Sequence, residues 1–256
     1  MKRFHKQEIN PDMAAEFDEY ILNGGFPKAL EFPDTEARQV YTRSIIAEIF
    51  EKDIKTRKRI SNIAVFKRVQ SFLLNNYSAP FSLSNLLDTL KAEGFSTKPA
   101  TVHSYIEHLK KAKIIYECNR FDLKSKKAVK REQKYYLGDM SIYFSTNTDN
   151  RLSYGPSLEN IVYLYLASQN YQISVGRIGN LECDFILRDN ELNYSYVQVS
   201  YTINTDTKTE DREYKPLESI HDNYPKYLLT TDYLLQKRNG IKHENLIEFI
   251  QNKKRF

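Results

Sequence analysis

The stretch from Leu181 to Ser200, "LECDFILRDNELNYSYVQVS", sets an acid, Asp184, into one apolar run and follows it with a second apolar run after a polar turn. Carboxylates on two neighbouring strands, with a lysine beside them, can hold a divalent cation and polarise the water that attacks a phosphodiester. A metal-dependent nuclease built this way would end its second strand with Glu-x-Lys, where this chain has Gln198, Val199 and Ser200. Glutamine still offers a cation a neutral oxygen, but serine supplies no ammonium near the scissile phosphate. Asp184 is therefore expected to be a metal ligand, for Mg²⁺ or Mn²⁺, only if the site is active, and no cofactor is expected otherwise.

A second candidate chemistry is cationic. The formal net charge of +5 is too mild to imply nucleic acid by itself. Its distribution says more: from Arg120 to Lys134 seven basic residues face only Asp122 and Glu132, an excess equal to that of the whole chain. Such a segment suits phosphate contacts, against the plainer reading of a solvated hairpin. A stripe of Lys208, Arg212 and Lys215 at spacings of 4 and 3 is expected to pair with Glu210, Asp211 and Glu218 at a solvated surface.

These residues need elements to position them. Upstream of the basic segment, "FSLSNLLDTLKAEGF" reads as a helix opening at Ser82 or Ser84 and closing at Gly94. A second helix, "STKPATVHSYIEHLKKAKII", opens with Thr97 as its expected cap and Pro99 in its first turn. Two strands, "AKIIYECNRFDL" and "EQKYYLGD", bracket the basic tip "KSKKAVKR", completing a winged helix-turn-helix pattern. On the second helix Val102, Tyr105, Ile106 and Leu109 face inward. Thr101, Ser104, His108 and Lys111 are left on a face that could enter a major groove, while Lys124, Lys126, Lys127, Lys130 and Arg131 reach phosphates.

The residues before this pattern, to about Arg59, read as helical, with Asp34 and Thr35 as cap candidates for "DTEARQVYTRSIIAEIFEKDI". Those after it give the order α-β-β-β-α-β, ending in "GIKHENLIEFIQN" as a strand or helix, which implies a small mixed sheet with helices packed on it. The expected organisation is an N-terminal helical segment at 1–60, a winged helix-turn-helix at 61–150 and a mixed-sheet domain at 151–256. In class terms this is α+β or α/β.

At 256 residues with 41% apolar and 28% charged content, the chain is expected to be globular and soluble, and no run approaches the length of a membrane span. The basic N-terminus lacks an apolar signal core, so a cytoplasmic location without membrane partners is expected. The two cysteines, Cys118 and Cys183, lie far apart in apolar runs and are expected to be buried thiols.

"EYILNGGFPKAL", "YTRSIIAEIFEKDI", "KYYLGDMSIYF", "LENIVYLYL", "LECDFIL", "VQVSYTI" and "IHDNYPKYLLTTD" together resemble the C-terminal region, domain of unknown function 4143, of a bacterial and archaeal AAA-type P-loop ATPase family. That resemblance implies an ATPase half which is absent here, since the chain has no Gly-Lys pair for a Walker site, and a separated C-terminal portion that binds no ATP. It also implies a PD-(D/E)xK, restriction-endonuclease-like fold. Glu159 would match the helical acid, Asp184 the acid on the second strand, Gln198 the Glu position and Ser200 the Lys position. With two of the four groups changed, a catalytically degenerate site is the expectation, unless Arg177, Arg188, Lys208 or Arg212 replaces the lysine. DNA is then the expected partner. A metal-dependent nuclease with an altered site, or a module that binds another protein or a second copy of itself, are the alternatives.

Overall fold

The computed structural model describes residues 3–6, 11–55, 60–146 and 154–256, with side chains at all of these except 3–6, 11, 53–55, 130 and 131. In chain order the elements are β1 (Arg3–Lys6), α1 (Pro11–Asn23), a 3₁₀ turn (Pro27–Glu31), α2 (Thr35–Ile49) and a π-helical turn (Phe50–Lys55). Then come α3 (Ile63–Asn75), α4 (Leu83–Ala92), α5 (Pro99–Lys111), β2 (Ile115–Asp122), β3 (Lys127–Leu137) and α6 (Ser141–Thr146). The remainder is α7 (Tyr154–Ser168), β4 (Gln172–Ile178), β5 (Leu181–Arg188), β6 (Tyr194–Val199), α8 (Thr207–Glu218), β7 (Lys226–Thr230), β8 (Leu234–Arg238), β9 (Ile241–Asn245) and α9 (Leu246–Gln251). The fold is mixed α+β, with a nine-stranded sheet and nine α-helices among the described residues.

The chain divides into two compact units. One, Glu19–Glu117 with Lys134–Leu152, is mainly helical. Short polar side chains start its helices: Asp34 accepts the Ala37 N–H at 2.7 Å, Asn62 that of Val65 at 3.1 Å, and Ser82 that of Asn85 at 3.3 Å. α5 differs from expectation: its cap is Lys98 rather than Thr97, without a side-chain bond, because Pro99 at the first position already fixes the entry. Val65, Phe66, Val69, Leu86, Leu90, Val102, Ile106 and Leu109 are buried at helical spacing, and Phe66 meets Tyr105 edge-on at 5.4 Å. The inner ends of β2 and β3 belong here, with Phe81 edge-on against Tyr135. Gly24, at φ +70°, is required by a close approach: a Cβ there would overlap Asp139 Oδ1, whose partner Oδ2 accepts the Gly25 N–H.

The other unit, Met1–Asp18, Cys118–Gln133 and Ser153–Phe256, carries the sheet. The strand order is β1-β8-β9-β7-β6-β5-β4-β2-β3. β4, β5 and β6 are antiparallel, β6 and β7 are parallel across α8, and β9 continues parallel to β7. The α-β-β-β-α-β order is present as α7-β4-β5-β6-α8-β7. Sheet faces alternate as the pleat requires: on β7, Leu228 joins Cys183, Ile186, Tyr196, Tyr214 and Leu217 beneath α8, while Tyr227 meets Phe249 of α9 on the opposite side. Tyr163 of α7 lies 6.3 Å from the Phe185 ring.

The sheet is larger than the sequence suggested. β1 lies in a segment read as helical and pairs antiparallel with β8, which periodicity did not reveal. "GIKHENLIEFIQN" is both a strand, β9, and a helix, α9. The outer part of the basic hairpin also joins the sheet, β2 pairing parallel with β4 through Arg120–Val175 to Asp122–Arg177. Both cysteines are free and buried, as expected. Among the described residues no helix is long and apolar enough to cross a membrane.

Candidate nucleic-acid interface and acid site

A bulge positions Asp184. Ser174 of β4 faces Ile186 of β5 and Gly176 faces Cys183, so Asp184 and Phe185 together oppose Val175. Such an extra residue re-aims a strand side chain. The backbones approach closely there, and a Cβ on Gly176 would lie 3.0 Å from Cys183 Cβ and from Ile186. Beyond Phe185–Val197 side chains complete the β5–β6 ladder. Gln198 Oε1 accepts the Asp184 N–H at 3.3 Å, and Asp184 Oδ2 accepts the Val199 N–H at 2.8 Å.

From α8, Glu213 reaches the same place. Its Oε2 accepts from Gln198 Nε2 at 3.0 Å, and its Oε1 accepts from Arg212 Nε and Nη2 at 3.0 and 2.8 Å. Asp184, Gln198 and Glu213 are all buried. Ser200 is buried as well, but its hydroxyl donates to Thr202 O at 3.3 Å and turns into its own loop. Glu159 is half-buried on α7, between Tyr154, whose ring stacks 4.6 Å from Tyr201, and Tyr163, which meets Phe185. Sequence reasoning missed Glu213. Its signal was an acid on the inward face of α8, next to Tyr214 and Leu217.

The stripe on α8 pairs differently from expectation. Lys208, Arg212 and Lys215 are exposed, but Glu210, Asp211 and Glu218 are held by Arg238 of β8, at 3.1, 2.6 and 2.7 Å. Of the cations considered as lysine replacements, Arg177 donates to Gly179 O at 3.1 Å, and Arg212 reaches the acid site only through Glu213. Among the described residues no group of three or more His, Cys, Asp or Glu side chains is suited to a metal ion.

The basic hairpin resolves into paired and exposed cations. Arg120 is buried between Glu132, at 3.2 Å, and Glu182. Lys134 is buried too. Lys124, Lys126 and Lys127 are exposed on the turn, where Asp122 Oδ1 accepts the Ser125 N–H at 2.6 Å and Lys126 adopts φ +54°. That hydrogen bond holds the Asp122 carboxyl below its usual pKa. Lys130 and Arg131 lie on β3, with side chains outside the described residues. Behind the turn, in the same unit, is a cavity of about 970 Å³.

On α5, Ser104 and Lys111 are exposed and Thr101 is half-buried. His108, expected on the same open face, is only 8% exposed: at 3.6 residues per turn it lies beside half-buried Thr101, at the border of the packed stripe formed by Val102, Tyr105, Ile106 and Leu109. His103 is exposed.

Two relatives align over 91% of the chain. An uncharacterized protein of Haemophilus influenzae is 30% identical over 235 residues, 57% of its length, and uncharacterized protein MJ1544 of Methanocaldococcus jannaschii is 27% identical over 246 residues, 53% of its length. The chain thus spans little more than half the length of these relatives. No solved structure matches it. The resemblance to the AAA-type ATPase family and its domain of unknown function 4143 is overturned by the family model that does match, which is a different one. That model covers residues 14–151, more than half of the chain, and the chain belongs to its family, described as "Domain of unknown function (DUF8612)".

Proposed function

We propose that the chain is a nucleic-acid-binding module whose sheet is related to the restriction-endonuclease-like fold but is catalytically silent. The observation that carries the binding is the turn with Lys124, Lys126 and Lys127, three exposed cations that make no ion pair among the described residues. Clustered lysines of this kind release counterions from a phosphate backbone, the main sequence-independent source of affinity. The order α7-β4-β5-β6-α8-β7, and the run α3-α4-α5 followed by a hairpin, support the nuclease-like and winged-helix readings. The two free, buried thiols suit a reducing compartment such as the cytoplasm.

Silence is supported by how the site is used: Asp184 Oδ2 accepts the Val199 N–H, Glu213 is held by the Gln198 amide and Arg212, and Ser200 supplies no ammonium. Titration of the chain into labelled duplex DNA at two salt concentrations, with and without Mn²⁺, tests both halves. Salt-sensitive binding without cleavage is expected, whereas no binding at low salt would shift the assignment to a protein partner or a second copy of the chain.

One observation favours a second reading. Glu213 supplies, from α8, a carboxylate beside the position where Gln198 lacks one. If Mn²⁺-dependent cleavage is found and is abolished by both Asp184→Asn and Glu213→Gln, these acids form an altered metal site.

A further inference from the structure

The cavity behind the lysine turn combines an apolar wall, exposed aromatic edges and an unbalanced positive charge. Phe121, Leu123, Ile178 and Tyr194 are half-buried against the core beneath α8. Tyr224, 39% exposed, meets the Tyr194 ring edge-on at 5.4 Å. The volume, about 970 Å³, is at the upper end of the range that encloses small ligands, roughly 300–1,000 Å³.

Its charges are asymmetric. Asp222 already accepts the Tyr196 hydroxyl and the Tyr224 N–H and pairs with Lys226 at 3.5 Å. Lys124 and Lys126 stand at the lining without an ion pair among the described residues, Asp222 is the one acid in that lining, and Arg188, also in the lining, has a buried Nε without a hydrogen-bond partner. An apolar, aromatic wall below cations selects a flat ring that carries an anion.

We propose that this cavity takes an unpaired nucleotide of a nucleic-acid strand, its base against Tyr194 and Tyr224 and its phosphate at Lys124 and Lys126. The proposal rests on the nucleic-acid reading above and narrows it. A base inside a duplex is stacked on both faces and cannot enter a cavity, so only a single strand or an extruded nucleotide fits. Stacking on tyrosine is tolerant of base identity, and Arg188 adds a further cation to the lining. The shared chemistry, a base bearing a phosphate, also describes a free nucleotide.

Fluorescence anisotropy of the full chain with a labelled single-stranded oligothymidylate, a blunt duplex and a duplex carrying one unpaired nucleotide, alongside calorimetry with thymidine monophosphate, separates the possibilities. The expected result is tighter binding to the single strand and the unpaired-nucleotide duplex than to the blunt duplex. Tyr224→Ala should weaken single-strand binding about tenfold and leave blunt-duplex binding unchanged, with Tyr224→Phe restoring it. Equal affinity for all three DNAs, or a fully folded Tyr224→Ala variant with wild-type single-strand affinity, overturns the proposal while leaving nucleic-acid binding intact. Absence of binding to any DNA overturns both readings. Binding of thymidine monophosphate as tight as that of the strand would assign the cavity to a free nucleotide and overturn the strand.

Discussion

Asp184 is a buried carboxylate whose Oδ2 accepts the Val199 N–H. Asp184→Ala leaves that buried donor unpaired, so a loss of about 1–3 kcal/mol in urea unfolding is expected, with DNA affinity unchanged once the protein is folded. A loss of affinity without a loss of stability would return the acid to function. His243 makes a second residue-level prediction. Its Nδ1 accepts the Gln236 N–H at 3.1 Å, which requires the proton on Nε2, 2.7 Å from Thr230 Oγ1. Burial lowers its pKa from 6.5 to about 4. Because the unfolded chain takes up the proton first, this contribution to stability is complete above about pH 6.5 and is lost as the pH falls toward 4. Unfolding at pH 5 should show roughly 2 kcal/mol less stability from this group than at pH 7.5, and His243→Gln should flatten the slope in that window. That Gln198 and Ser200, rather than Glu-x-Lys, follow Asp184 on the next strand was legible in the sequence, because it needed only residue types along one strand. The partnership of Gln198 with Glu213 was not, since it joins β6 to a helix across a tertiary contact.

At the scale of elements, Arg238 ties β8 to α8. It holds Glu210, Asp211 and Glu218 and lies 4.9 Å from the centre of the Tyr214 ring. Removing it takes an ionic contact from the buried Glu210. Arg238→Ala should cost about 2–4 kcal/mol, less than a wholly buried pair because Arg238 is partly solvated, measured as a fall in the urea midpoint. An unchanged midpoint would mean that the clamp is only a surface contact. Periodicity located helices α2 to α5 and strands β4 to β7 because each buries one face and carries its own cap or turn. It failed at β1 and β8, whose strand character comes from pairing with each other and with β9 rather than from their own pattern. The hairpin was legible as two strands around a basic tip, but nothing local could say that β2 would pair with β4, more than fifty residues on.

Across the whole molecule, the proposed nucleic-acid binding would rest on a small part of the charge. Of seven cations between Arg120 and Lys134, two are buried and three are exposed on the turn, so the excess counted from sequence overstates what is available to phosphate. Composition alone could not separate the two kinds, because the acids that hold Arg120 include Glu182, on another strand. The most direct measurement is the salt dependence of duplex DNA affinity for the wild-type chain and for Lys124→Ala/Lys126→Ala/Lys127→Ala. With each lysine meeting about one phosphate, the variant should bind more weakly at low salt, and the slope of log K against log salt should fall by about 2–3. An unchanged affinity and slope in a folded variant would contradict a nucleic-acid interface at this turn.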